Sequence, residues 1–227
     1  MSTYENEQQN NPTPPPPTNQ PSFGDEFKSF YKGDFKSIMS LFFSSPIDGI
    51  RSIFVSRSDK AYTSALILFV SVFLVYFVGT YLAIPEKFKD ALGLELMDFI
   101  KIGLLPIVFM LFATLLTFAI KSSSGKPEFK TELLTGGLSG IPMAVLFIFL
   151  FGLRFFGEET FGELFRDPQD LGTFMVVFLL FIFLMLVNVV QQSLKASGSK
   201  DAIAWYASPL VVLLSFYFTY KFVDAIF

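Results

Sequence analysis

The sequence predicts an all-α polytopic membrane protein: a five-helix transmembrane bundle preceded by a disordered tail and interfacial amphipathic helices. Three observations lead there. Hydrophobic residues make up 52% of the chain and charged residues only 16%, against about 25% charged in a soluble domain. Phe alone accounts for 31 of the 227 residues. Five apolar runs of 19 to 23 residues, at 62–84, 102–120, 133–153, 171–190 and 202–220, contain no Asp, Glu, Lys or Arg. Each is long enough to cross the roughly 30 Å hydrocarbon layer. One charge at the centre of such a run would cost about 2.5–3.5 kcal/mol. Runs of this length in lipid are helical, because a helix satisfies its own backbone.

The composition also excludes chemistry. There is no His and no Cys. That removes Cys or His zinc sites and His-ligated haem. It removes cysteine nucleophiles, serine hydrolases with a His base, and disulfides. A net charge of −3 leaves no basic footprint for nucleic acid. The sequence therefore assigns no catalytic residue, no cofactor and no metal ligand, and it predicts a protein that is not an enzyme.

Residues 1–22 form a polar tail holding six of the 13 Pro and no Lys or Arg. Such a segment buries too little surface to offset the entropy of ordering, so it is expected to be disordered. It lacks the basic start and apolar core of a signal peptide. Residues 23–61 follow as an amphipathic region. Phe27, Phe30, Tyr31, Phe35, Ile38, Leu41 and Phe42 recur at helical spacing, and Lys28, Lys32 and Lys36 recur every four residues on another side. Ser45-Pro46 is expected to restart a helix, with Ser as cap and Pro in the first turn. Ile47, Ile50, Ile53 and Phe54 continue the apolar face. Two placements suit it: the headgroup layer, or the protein's own spans.

The five-span domain covers 62–227. With the N-terminus inside, the inner side holds eleven basic residues and the outer side six, which favours a cytoplasmic N-terminus and an outer C-terminal end. Tyr62, Tyr81, Trp205, Tyr206 and Tyr220 stand near span ends as an interfacial belt requires. The outer connections 86–99 and 154–170 read as short helices on the membrane surface. In the first, Phe88, Leu92, Leu96 and Phe99 are expected to share one face.

Several local motifs fall to simpler readings. Gly137-Leu138-Ser139-Gly140 has the spacing of rhomboid intramembrane proteases, whose Ser needs a His that is absent here. Glu158-Glu159 followed by Arg166 has neither the spacing nor the His residues of CAAX-type membrane proteases. The acidic stretch 158–170 lacks calcium-loop spacing. Ser122 to Lys126 lacks the leading Gly of a phosphate loop and reads as a polar turn. Gly136, Ser139, Gly140 and Ala144 are small residues that let helices approach closely. Pro106, Pro142 and Pro209 lie inside spans two, three and five. They suit either packing kinks or the broken helices of a transporter. Asn188 is the one amide within these spans, and none of them holds an ionisable group of the kind that marks an ion pathway, so kinks are the preferred reading.

Three patterns then align in order: Ser45-Pro46 with Ile50 and Ile53 before span one, Phe129 to Leu134 leading to Ile141-Pro142, and Leu194-Lys195 through Lys200-Asp201-Ala202 to Ser208-Pro209. Over about residues 36–227 the chain resembles the Yip family, the Ypt-interacting five-span membrane proteins, in its prokaryotic branch. The Asp-Leu-Tyr-Gly-Pro signature of the eukaryotic members is absent, and no His stands near Ser197, so Rab-type GTPase binding is not carried over. The resemblance implies an integral membrane domain with no catalytic site, which associates with itself or with other membrane proteins. The expected function is a non-enzymatic membrane adaptor or organiser related to trafficking or transport. Its contact residues for partners or anionic lipid are expected in the inner loops, at Lys126, Phe129, Lys130, Lys195 and Lys200. The alternative is a small-molecule or ion permease using the Pro-containing helices. The expected setting is the plasma membrane of a prokaryotic cell or an endomembrane of a eukaryotic one. Because the chain has no Cys, single introduced thiols map its orientation. Lys126→Cys should resist a membrane-impermeant thiol reagent in intact cells and react after permeabilisation; labelling in intact cells contradicts the inward orientation.

Overall fold

The computed structural model describes residues 22–57, 60–123, 127–155 and 168–226. Among these residues there is no strand, and five helices are long and apolar enough to cross a membrane. The protein is an all-α, multi-pass membrane protein. The tail expected over 1–22 lies outside the described residues except for Ser22, as does most of the acidic connection 154–170.

The amphipathic region folds as three short helices. Ser22 caps α1, Phe23–Ser29, its hydroxyl accepting the Asp25 backbone N–H at 3.3 Å. A π-helical turn, Phe30–Asp34, leads straight into α2, Phe35–Ser44. The chain then breaks at Ser45 and reverses through Pro46 and Ile47 into α3, Asp48–Ser56. The expected Ser45 side-chain cap does not form, and Pro46 stays in the turn outside the helix. Instead Ile47 occupies the N-cap position with no side-chain bond, and the Gly49 N–H donates to the Ser45 carbonyl at 2.7 Å. The cause is tertiary: α2 and α3 approach so closely at Gly49 that a Cβ there would overlap the Leu41 carbonyl.

The apolar face of this region turns onto the bundle. Phe30, Ile38, Phe42, Ile50, Ile53 and Phe54 are buried in one cluster with Ala61, Leu68, Leu134, Leu138 and Val189. Of the two placements open to the sequence, packing on the protein's own spans is the one adopted. Lys28, Lys32 and Lys36 remain exposed on the other side. An Asp34–Arg57 ion pair at 3.0 Å ties the π-helical turn to the end of α3.

The first span is α4, Ala61–Ala83. A short α5, Glu86–Leu92, ends at Gly93, whose φ of 62° is left-handed and suits a residue without a Cβ. The second span, α6, Leu96–Ser122, starts three residues later on a capping box between Glu95 and Asp98. This corrects the expectation of one surface helix across 86–99. Gly93 stops the first piece, and Leu96 and Phe99 belong to the first turn of the span, so the four apolar residues do not share a face. The remaining spans are α7, Phe129–Phe155, α8, Pro168–Ala196, and α9, Asp201–Ile226.

α7 is the central element. It packs against α4, α6 and α8, and its span is the most buried of the five. Its small residues permit this. A Cβ on Gly136 would meet the Thr114 hydroxyl and the Met110 carbonyl of α6; one on Gly137 would come within 3.0 Å of the Ala65 Cα; one on Gly140 would crowd Val72 and Met110. α9 packs on α6 and α8 at the periphery. Helical hydroxyls such as Ser71, Thr114, Thr117, Ser139, Ser215 and Thr219 donate to the carbonyl four residues back, which removes them from competition with lipid.

The helices carrying Pro106, Pro142 and Pro209 run without interruption through them. Pro209 cannot donate to the Trp205 carbonyl, and the Ser208 hydroxyl reaches that oxygen instead, at a long 3.4 Å. The close approach at α7 has a direct test. Gly136→Ala is expected to lower stability in detergent by about 1–3 kcal/mol through overpacking. Gly172→Ala on α8, with nothing within 4 Å of the added methyl, should not. Equal thermal midpoints for the two variants would show that the α6–α7 contact yields freely.

Candidate functional site

The reversals from α6 to α7 and from α8 to α9 bring polar groups to one end of the bundle. There the start of α4, the end of α6, the start of α7, the end of α8 and the start of α9 meet. The connection is direct: Lys121 in the last turn of α6 pairs with Glu132 in the first turn of α7, Lys130 lies 6.0 Å from the centre of the Tyr62 ring, and Lys195 pairs with Asp201 at 3.1 Å. The N-terminal helices pack beside the same end.

The deepest feature of this end is an ion pair. Lys121 Nζ donates to Glu132 Oε2 at 2.7 Å and to Ser193 Oγ on α8 at 2.9 Å. The Ser193 hydroxyl shares a 2.6 Å hydrogen bond with Thr135 on α7. Both charged side chains are only 6% exposed. Each charge also sits where its helix favours it, the ammonium at a C-terminus and the carboxylate at an N-terminus. Three spans are therefore joined by four side chains with complementary donors and acceptors.

The charge-free runs 102–120 and 133–153 stand as read, and the buried pair lies just beyond them, at Lys121 and Glu132. The helices run beyond the apolar windows, so both charges fall within helical ends. One signal for the pair is present in the sequence. Lys121 and Glu132 stand at the two edges of one short connection between consecutive apolar runs, and antiparallel neighbours bring such edges together.

A second polar junction holds the N-terminal helices. Asn188 Nδ2 donates to the Pro46 carbonyl at 2.6 Å, and Gln192 Nε2 donates to Asn188 Oδ1 at 3.2 Å. Asn188 thus anchors the α2–α3 turn to α8. The Tyr31 and Ser71 hydroxyls are hydrogen-bonded between the π-helical turn and α4.

The residues expected to meet partners or lipid distribute around this end. Phe129 is 40% exposed, its ring edge-on to Phe118 with centroids 5.6 Å apart. Lys130 and Lys200 are exposed. Lys195 is engaged by Asp201. Lys126 lies outside the described residues. Gly136 and Gly140 lie at the contacts of α7 described above, Pro106 and Pro142 are buried, and Pro209 is half-buried. Among the described residues no three Asp or Glu side chains cluster so as to hold a metal ion. The Ser193 and Thr135 hydroxyls beside the buried pair are hydrogen-bonded to it and to each other, so the four side chains act as a clamp between helices.

No protein-family model matches the chain, and neither a curated protein nor a solved structure matches it.

A clamp of this kind has a characteristic mutational signature. Removing one partner, as in Glu132→Gln or Lys121→Met, should cost about 3–5 kcal/mol by stranding a buried charge, whereas replacing both by apolar residues of similar volume should cost far less. Unfolding of purified Lys121→Met, Glu132→Leu and the double variant measures the coupling. Additive losses would mean that the two charges do not act as a pair.

Proposed function

We propose that the chain is a non-enzymatic membrane adaptor of the Yip-like type, with its N-terminus in the cytoplasm, and that the polar end of the bundle is its partner-binding face. One observation carries this reading. The N-terminal helices are packed into the core of the bundle through Phe30, Ile38, Phe42, Ile50 and Ile53, so they form a fixed platform at the end where most of the basic residues gather. Lys28, Lys32, Lys36, Lys130 and Lys200 stand exposed around it, with Phe129 as an apolar contact. The same basic bias supports the inward orientation of that end. The unbroken passage of α6, α7 and α9 through their prolines supports an adaptor over a carrier built on unwound helices.

The test compares the tagged wild-type protein with a Phe129→Ala/Lys130→Glu/Lys200→Glu variant in quantitative affinity capture from gently solubilised native membranes. The expected result is a near-stoichiometric partner recovered with the wild type and lost with the variant, while the variant keeps its thermal midpoint. Identical recovery from both, together with solute flux across proteoliposomes, would instead establish the permease.

A further inference from the structure

Between α1, the π-helical turn and the first two turns of α4 lies a cavity of about 320 Å³. Its walls carry both signs of charge, with Asp25 and Glu26 on one side and Lys60 on the other, and Thr63 and Ser64 between. Phe30 and Ile67, both buried, close its apolar floor. A smaller cavity of about 270 Å³ shares Asp34 and Lys60 with it and adds Ser56 and Arg57.

Some of the polar groups here are engaged, Asp25 accepting the Ser22 hydroxyl at 2.7 Å, and others are open to the cavity. Ser64 is only 2% exposed, yet among the described residues its hydroxyl makes no hydrogen bond. The six hydroxyls named above on α4, α6, α7 and α9 all bond the carbonyl four residues back. The Glu26 carboxylate and the Lys60 ammonium likewise have no ion-pair partner among the described residues, whereas Asp34 is engaged by Arg57 at 3.0 Å.

The charges define what fits. A free anion would meet Asp25 and Glu26; a free metal cation would meet Lys60. A molecule with a primary ammonium and an anionic group a few bonds apart satisfies both walls, with N–H donors for the carboxylates and oxygens for Lys60, Ser64 and the neighbouring Arg57. The position adds the source. Lys60 precedes the first span directly, and the stretch from Lys60 to Ile67 rises roughly 10 Å. That depth covers the headgroup layer and the first carbons of the acyl chains. We infer that this cavity is a binding site for the phosphoethanolamine headgroup of a membrane lipid, held between the N-terminal helices and the first span.

The experiment reconstitutes the full chain into vesicles of equal parts phosphatidylethanolamine, phosphatidylcholine and phosphatidylglycerol, re-extracts it in mild detergent and quantifies the retained lipid by mass spectrometry. The trimethylammonium of phosphatidylcholine has no N–H donors, and phosphatidylglycerol has no cation, so phosphatidylethanolamine should be enriched over both. Glu26→Gln and Lys60→Gln should each lower that enrichment by about tenfold, the worth of one charge-assisted contact. Lys60→Arg should retain it. Neither position is in the buried core, and unchanged gel filtration and circular dichroism confirm that the variants fold. Equal retention of the three lipids, or enrichment that survives both charge-removing variants, overturns the site. Displacement of the lipid by soluble glycerophosphoethanolamine at equal concentration keeps the zwitterion chemistry but overturns the lipid as its source.

Discussion

In hydrocarbon, apolar side chains gain little by leaving lipid for one another, so this bundle depends on close fit and on a few polar contacts. The close fit is concentrated on α7, where Gly136, Gly137 and Gly140 bring its backbone against α4 and α6. The polar contact is concentrated one turn further out, where Lys121, Glu132, Ser193 and Thr135 join α6, α7 and α8. The two act on the same helix, and the placement of the outer spans follows from it. α9 meets neither feature directly and packs instead on α6 and α8.

The N-terminal helices extend the same logic beyond the bundle. Their apolar face is buried against α4, α7 and α8, and their polar anchors are few and specific: Asn188 on the Pro46 carbonyl, Arg57 on Asp34, Tyr31 with Ser71. An amphipathic helix free in the headgroup layer follows the lipid. One fixed in this way presents its Lys residues at a constant place relative to the spans. A rigid basic platform and a mixed-charge cavity beside it both arise from this docking, because the cavity lies between α1, the π-helical turn and the start of α4.

The spans and their order were legible in the sequence because lipid imposes a strong, local rule: about twenty apolar residues without charge. The small residues of α7 were legible for the same reason, since few sequences place Gly at 136, 137 and 140 in one apolar run without a neighbour to meet. The single helix expected across 86–99 was not found, because periodicity carries Phe88 to Phe99 in phase while Gly93 and the Glu95–Asp98 box divide them. The cap expected at Ser45 failed because the crossing at Gly49 sets the turn. The burial of Lys121 with Glu132 was not read from the pattern, because an apolar run ends at its first charge whether or not the helix does.

What the sequence by itself determined is the set of spans, the segregation of basic residues toward one end, and the absence of His or Cys chemistry. These are properties of composition and of period, and they need no knowledge of neighbours. What only the tertiary structure decided is which polar groups meet. The burial of Lys121 with Glu132, the anchoring of Pro46 by Asn188 and the open hydroxyl of Ser64 all depend on how each helix is rotated about its axis. Rotation is set by contacts between residues far apart in the chain, which local pattern does not encode.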